Sequence, residues 1–418
     1  MTCIIVGGGA AGFQAAAACR ATWPDRAVTL IDAEEEAGYF RTLLPQFIAG
    51  ELAEEDLFFP PRDVDPLLTI LRGVRVRSLD RTERRITLEN GDVLSYDRLI
   101  LAHGGDPTLP GTLAGPPCRG IFPVRDLTTA KRTKEWLADH RNVLVFGGSL
   151  VAVKTAAHLR HAGFEVAIVV RRGHVLLRAL SPEAAKIVET HLREMGIRLH
   201  VNAPLEDLRV ADGAVAALKA GGEWLPCDTL LVAAGTTPDV SFLKETGLLT
   251  DGELVVDPAL QTIDPRIFAA GDVAVIAAGS EKVSPNTWPQ AVSQGKRAAE
   301  NLYRTTPLPL TDRTRINAME LHGLAMVILG PPVDDAEVIS YAKPEDKIRR
   351  ELFLIGGKPV GGSLLGDISA AGTLHALIQS GKTVGAGEAA LLRPETTGVI
   401  PFPEPTGRRE ALILSAKR

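Results

Sequence analysis

Two short runs of the chain carry residue types that could hold a dinucleotide, one headed by Gly7 and the other by Gly147 in a sequence of 418 residues. The first is Cys3-Ile4-Ile5-Val6-Gly7-Gly8-Gly9-Ala10-Ala11-Gly12, and the second is Val143-Leu144-Val145-Phe146-Gly147-Gly148-Ser149-Leu150-Val151-Ala152. In the first, Gly7 permits a tight turn, Gly9 lets the backbone approach a pyrophosphate, and Gly12 lets the next helix pack against the strand. Phosphates then meet a helix N-terminus, whose free amides and dipole favour an anion. Asp32 stands about 20 residues past Gly12, the spacing of an acid that accepts hydrogen bonds from a ribose.

The second run repeats this pattern with substitutions. Ser149 replaces the second glycine of the fingerprint and allows a turn with less clearance, while Ala152 is an accepted substitute for helix packing. The strand that follows ends at Val170 and runs into Arg171-Arg172, where an acid would be expected. Two guanidiniums there suit a 2′-phosphate and hence NADP(H), or they belong to a solvated turn. The choice between NAD(H) and NADP(H) stays open.

These loops need strands and helices to position them. An apolar strand, Cys3 to Val6, leads into the first loop, an alanine-rich helix runs from about Ala10 to Ala21, and a second strand, Ala27 to Ile31, ends at Asp32. The second unit has a strand over Asn142–Phe146, a helix to about His161 and a strand over Phe164–Val170. Two apolar strands run into glycine turns, in the stretches Ser95 to Gly105 and Cys227 to Gly235, and mark places where the chain crosses between domains. Ile267-Phe268-Ala269-Ala270-Gly271-Asp272-Val273 follows, then a helix from Trp288 to Leu302 containing Gln290, Gln294 and Gly295. From about Thr311 the pattern changes to short strands, among them Glu337 to Tyr341, Glu351 to Ile355 and Val360 to Leu365, with a helix around Ala370 to Ser380. The expected boundaries are 1–108 with 235–308 for one dinucleotide domain, 109–234 for the other, 309–385 for an α+β domain, and 386–418 for an extended, proline-rich tail.

Composition narrows the partners. A net charge of −5 gives no basic stripe, so nucleic acid and anionic membrane surfaces are poor candidates. Cys3, Cys19, Cys118 and Cys227 are too dispersed for a zinc or iron–sulfur spacing and read as small buried hydrophobes in a reducing compartment. The first strand is consumed by the glycine loop, which argues against a signal peptide, and no apolar run reaches spanning length. A cytoplasmic, soluble protein with no resident metal is expected.

Taken together, these motifs resemble the two-dinucleotide flavoproteins of the pyridine nucleotide–disulfide oxidoreductase superfamily. The likeness implies an α/β fold of two Rossmann-like domains, one for FAD and one for NAD(P), with a C-terminal α+β domain. Tyr96-Asp97 through Gly104 looks like the superfamily's crossing, and Phe268 to Asp272 looks like its second FAD motif. FAD is then expected on Gly7, Gly9, Ala11, Gly12, Asp32, Arg41, Ala102, Gly104, Gly271, Asp272 and Trp288. The nicotinamide is expected on Gly147, Gly148, Ser149, Leu150, Val151, Arg171, Arg172 and Gly235. Tyr39 to Pro45, Gly50-Glu51, Glu55-Asp56-Leu57 and Gly361 to Asp367 are similar to NADH:rubredoxin reductases and to the flavin domain of assimilatory nitrite reductases.

The departures matter as much. Disulfide reductases of the superfamily place redox cysteines near Thr42 to Pro45, and this chain has none there, so no thiol relays electrons. Lys154 occupies a position where relatives carry a glutamate; it reads either as a solvated helix residue, the simpler expectation, or as a cation beside flavin and nicotinamide. His103 stands for the superfamily's threonine and either touches FAD phosphate or fills a turn, and Trp288 either borders the flavin or starts a helix in the core. No acid–base catalytic residue is expected. The leading reading is an FAD-dependent NAD(P)H oxidoreductase serving an iron–sulfur partner, such as rubredoxin, ferredoxin or subunits of a larger complex. The alternatives are a type II NADH/quinone reductase and a non-catalytic FAD-binding subunit with a decayed nicotinamide site.

Overall fold

Two parallel sheets carry the two glycine loops. In the computed structural model, which describes residues 2–59, 65–113, 118–278, 281–284, 287–310, 316–385 and 392, the first sheet runs Ile267–Ala269, Arg98–Leu101, Thr2–Val6, Ala27–Ile31, Leu68–Leu71. All its pairings are parallel, and Val6 lies between Ile31 and Leu101. The second sheet runs Arg198–His200, Glu165–Val169, Asn142–Phe146, Thr229–Val232, Ile121–Pro123, again all parallel, with Phe146 between Val169 and Val232. The two sheets thus repeat one topology around each loop. Their central strands are buried almost end to end, because both faces are covered; in the second sheet one face packs on an antiparallel sheet of Leu205–Ala211, Ala214–Ala220 and Glu223–Pro226.

Among the described residues the α-helices are α1 (Ala10–Thr22), α2 (Leu44–Ile48), α3 (Leu127–Trp136), α4 (Leu150–His161), α5 (Pro182–Glu194), α6 (Trp288–Asn301) and α7 (Ala371–Ser380). Helices α1 and α6 lie against each other so closely that a Cβ on Gly295 would stand 2.0 Å from the Ala11 carbonyl oxygen. Alanine on α1 and glycine on α6 are what this approach requires. The predicted helix and strand limits of both loop units agree with these bounds to within a residue or two.

The two crossings are tied together. Thr236–Thr237 pairs antiparallel with Asp106–Pro107, and the Thr108 amide donates to the Gly235 carbonyl at 2.9 Å. The chain therefore passes from one sheet to the other and back through one hydrogen-bonded seam.

The C-terminal part is a five-stranded antiparallel sheet ordered Ile316–Glu320, Ala325–Leu329, Lys358–Leu365, Ile348–Ile355, Glu337–Lys343, with α7 against it. Leu321, Leu324, Met326 and Leu365 enter the same buried cluster as Ala156, Val188 and Leu192 of α4 and α5. Glu351, fully buried, accepts from the Ser181 hydroxyl that caps α5, from Ser363 and from Arg349. One side of this sheet thus shares a buried cluster with the second dinucleotide unit, while Val327, Leu329, Leu352 and Leu364 form a cluster of its own with Leu374 of α7. The predicted tail, with its proline run and the apolar stretch Ala411 to Leu414, lies outside the described residues apart from Leu392.

Candidate functional site

One cavity of about 1050 Å³ joins the two glycine loops, larger than most small-molecule pockets. Gly7, Gly9, Ala11, Asp32, Arg41, Ala102, Gly104, Gly271, Asp272 and Trp288 line one part of it, and Ser149, Val151 and Gly235 line another. Gly12 lies beneath this wall. Gly147, Gly148, Leu150, Lys154, Arg171 and Arg172 are not among the lining residues, and Arg178 is.

The first loop is shaped by close approaches. Gly7 has φ +104°, and a Cβ there would stand 2.4 Å from the Ala102 carbonyl oxygen. At Gly12 a Cβ would stand 1.8 Å from the Gly7 carbonyl oxygen, and at Gly8 2.1 Å from Asp32 Oδ2. Around Gly9, by contrast, only Arg41 Nε comes near, at 3.9 Å, so the backbone faces open space. Gly9 is the N-cap of α1 and no side chain caps the helix, which leaves its first amides turned to the cavity.

Buried polar atoms along this wall lack protein partners. Asp32 is 5% exposed, its Oδ2 is unpaired, and burial raises its carboxyl above the ordinary range, with Glu34 adding to the effect. Thr287 Oγ1 and both ring nitrogens of His103 are likewise buried and unpaired. Leaving such groups unsatisfied costs about 1–3 kcal/mol each, so the cavity is built for a polar ligand with several donors and acceptors. An adenosine dinucleotide fits this donor set: ribose hydroxyls for Asp32, a pyrophosphate for the α1 amides. Burial pushes the His103 imidazole down to about 4, so it is neutral at pH 7.

Around Arg41 the side chains form a network. Arg41 pairs with Glu34 and donates to Tyr39 Oη at 2.8 Å and to the Arg125 carbonyl at 3.1 Å. Tyr39 in turn donates to Glu34 at 2.6 Å and accepts from the Leu127 amide at 3.1 Å. Arg125 donates to the Gly105 carbonyl at 3.0 Å, and a Cβ on Gly104 would lie 3.1 Å from its Nη2. These two guanidiniums, one of them ion-paired with Glu34, line this part of the cavity. On the far side, Trp288 meets Phe40 and Phe59 at ring separations of 5.6 and 6.0 Å, an aromatic wall that also starts α6. The Gly271 amide donates to Gln294 Oε1 at 2.8 Å, which fixes the turn bearing Asp272.

The second loop copies the turn but not the surroundings. Gly147 has φ +138°, and a Cβ there would stand 2.4 Å from the Ala233 carbonyl oxygen. Ser149 caps α4, accepting from the Ala152 amide at 3.2 Å and donating to the Ala233 carbonyl at 3.1 Å. Val170 lies under Gly148, where Asp32 lies under Gly8. Arg171 and Arg172 are exposed beyond the strand end.

Lys154 corrects one expectation. It does not lie on a solvated helix face: its Nζ crosses to donate to the Thr42 carbonyl at 2.7 Å, and burial lowers its pKa to about 8. The side chain thus bridges α4 to the turn that carries Arg41.

None of the cavity-lining residues is a cysteine. Burial pushes the Cys227 thiol up to about 12, and Cys3, hydrogen-bonded to Cys19 in the first core, is raised as well. The same bond holds Cys19 lower, but Cys19 is buried in that core, away from the cavity.

The sequence profile of the family described as pyridine nucleotide-disulphide oxidoreductase matches residues 1–295. The chain belongs to that family. It is 30% identical over 349 residues to the anthranilate 1,2-dioxygenase system ferredoxin–NAD(+) reductase component of Burkholderia cepacia, covering 79% of this chain and 84% of that protein. It is 27% identical over 379 residues to an NADH oxidase of Methanocaldococcus jannaschii, covering 86% and 83%. In fold it is similar to a putidaredoxin reductase solved in covalent complex with putidaredoxin, with a TM-score of 0.87 at 22% identity over 95% of this chain and 96% of that one. The two Rossmann-like domains and the family likeness read from the sequence are borne out.

Sequence reasoning missed Arg125, Thr287 and Arg178. Asp126, three residues before Thr129, signals the start of α3, and the structure shows it as the N-cap, accepting from the Thr129 amide at 2.7 Å. Nothing in that signal points to Arg125 beside it. Thr287 and Arg178 reach the cavity only through the packing of distant segments.

Proposed function

We propose that the protein is an FAD-dependent NAD(P)H oxidoreductase that passes electrons between a nicotinamide and a one-electron iron–sulfur protein, in the cytoplasm. The observation that carries this reading is the single cavity lined by both glycine loops and by no thiol. Bound FAD would supply the chemistry that joins a two-electron hydride donor to a one-electron metal centre. The names of several relatives, which include rubredoxin–NAD(+) reductases and ferredoxin–NAD(+) reductase components, support an iron–sulfur partner.

This chain's own residues bind and orient. The α1 amides with Arg41 and Arg125 would hold the pyrophosphate, and Asp32 the adenosine ribose. Asp272 and the uncapped N-terminus of α6 would face the other end, where a helix dipole favours negative charge. The phenyl and indole rings of Phe40, Phe59 and Trp288 would exclude water. Gly147, Gly148, Ser149, Leu150, Val151 and Gly235 would receive the nicotinamide dinucleotide, with Arg178, or Arg171 and Arg172 at the strand end, available to a 2′-phosphate. Lys154 holds the seam between the two halves.

No helix among the described residues is long and apolar enough to cross a membrane. The test is direct: mix the purified yellow protein anaerobically with NADH and with NADPH, and follow the flavin band. Rapid bleaching by one nucleotide is expected and identifies the donor. A band that dithionite bleaches but neither nucleotide touches would remove the nicotinamide and favour a non-catalytic flavoprotein.

A further inference from the structure

Three segments far apart in the chain bring ligating atoms together outside the cavity. Glu51 follows α2, His158 lies on α4, and His322 sits in the turn between the Ile316–Glu320 and Ala325–Leu329 strands. His158 Nδ1 is 2.7 Å from Glu51 Oε2 and 3.2 Å from His322 Nε2, and His322 Nε2 is 3.9 Å from Glu51 Oε1. We propose that Glu51, His158 and His322 bind a divalent transition-metal ion, zinc by ligand type, that clasps these three segments.

The spacing suits the ion. Two ligand atoms each about 2.1 Å from a tetrahedral zinc stand roughly 3.4 Å apart. The two imidazole nitrogens are 3.2 Å apart and each faces a different oxygen of the Glu51 carboxylate; one atom from each residue lies within 4.8 Å of the other two, so a small side-chain adjustment would bring a single carboxylate oxygen into the set. Two imidazoles with one carboxylate form a known zinc donor set, with the fourth position left to water on the exposed Glu51 side.

Hydrogen bonding alone serves the cluster poorly. A neutral imidazole nitrogen offers either one proton or one lone pair. If His158 Nδ1 donates to Glu51, it has no second proton for His322 Nε2; if it accepts from His322, its lone pair confronts the Glu51 oxygen at 2.7 Å. One cation at the centre satisfies all three lone pairs at once.

The surroundings hold the ligands in place. His158 is 6% exposed. His322 has φ +42°, a left-handed conformation that non-glycine residues adopt at a cost, and such strain collects at functional positions. His161 stacks on the His322 ring at 4.1 Å and 15°, fixing its plane. Lys154, one turn before His158, has its ammonium committed to the Thr42 carbonyl. The sequence carried no sign of this site, because His158 and His322 are 164 positions apart.

This inference is independent of the redox reading. The protein as purified is treated with a chelator, desalted, and titrated with zinc against a chromophoric competitor, with zinc per chain counted by elemental analysis. One equivalent is expected, together with a rise in Tm. Glu51→Gln and His322→Gln should each weaken binding by roughly a hundredfold or more and abolish the Tm rise, while His161→Gln should keep one equivalent. If His322→Gln fails to fold, Glu51→Gln, at a partly exposed side chain, carries the test. Less than one equivalent in the unmutated protein, or stoichiometric binding that survives Glu51→Gln, overturns the proposal.

Discussion

At the first loop, Gly12 lies so close under Gly7 that a methyl group would stand 1.8 Å from a backbone oxygen, whereas at the second loop Ala152 carries that methyl and is fully buried. The same contrast runs through both sites. Beneath the middle glycine stands a buried acid in one case and Val170 in the other. The helix behind the first loop has no side-chain cap, and the helix behind the second is capped by Ser149. After the crossing strands, Ala102-His103-Gly104 in one corresponds to Ala233-Ala234-Gly235 in the other. Two copies of one topology have therefore been specialised differently: the first leaves amides and polar atoms unsatisfied, as a site for a permanently held ligand can, and the second satisfies its own, as a site that is often empty must.

The largest effect that would test this contrast is expected at Gly12. Its neighbour is backbone and cannot give way, so Gly12→Ala must move α1 away from the strand. Overpacking of this kind costs roughly 1–3 kcal/mol or more, and it displaces the amides that would receive the pyrophosphate. The variant should be isolated mostly without flavin, read as the ratio of flavin to protein absorbance. The reverse change in the second copy, Ala152→Gly, should cost about 1 kcal/mol through helix propensity and leave the flavin in place. Equal flavin loss in both variants would erase the distinction between the loops.

A second effect, on stability and not on flavin retention, separates the crossings by pH. His103 is pushed down to about 4 by burial, against an ordinary value near 6.5, so the unfolded chain binds its proton first as pH falls. Stability due to the neutral ring is therefore fully present above about pH 6.5 and is lost as pH drops toward 4, on the order of 3 kcal/mol in all. His103→Ala, which makes the first crossing like the second, should flatten that part of the stability curve of the flavin-free protein. Denaturant titrations at pH 7, 5.5 and 4.5 check this, and parallel curves for the two proteins would mean that His103 titrates normally.

Sequence alone revealed both strand–loop–helix units, because strands buried on both faces read as unbroken apolar runs and the glycines mark their ends. Three of the five C-terminal strands were also placed. Ala325-Met326-Val327-Ile328-Leu329 was not, since such a run of helix-forming and apolar residues fits a buried helix as well as a strand. In the site, residues supplied by the loops themselves could be named in advance. Arg125, Thr287 and the reach of Lys154 to Thr42 could not, because each depends on which distant segments the tertiary fold brings alongside. The Glu51–His158–His322 cluster was hidden for the same reason.

The smallest effect concerns Ser149, and here two substitutions pull apart what the residue does. Its hydroxyl caps α4 through the Ala152 amide and ties the loop to the Ala233 carbonyl. Ser149→Ala removes both bonds and keeps the Cβ, so it should lose about 1 kcal/mol of stability with no gain in nicotinamide binding. Ser149→Gly also loses the bonds, but glycine is a tolerable N-cap that costs only a few tenths of a kcal/mol relative to serine, and it frees an α4 amide and removes bulk near the cavity. If the serine satisfies the loop at the expense of its ligand, Ser149→Gly should lower the KM for the nicotinamide by a few-fold while Ser149→Ala does not. A KM unchanged or raised in Ser149→Gly would show instead that the hydroxyl belongs to the binding surface, and that the second loop differs from the first in chemistry without being the more closed of the two.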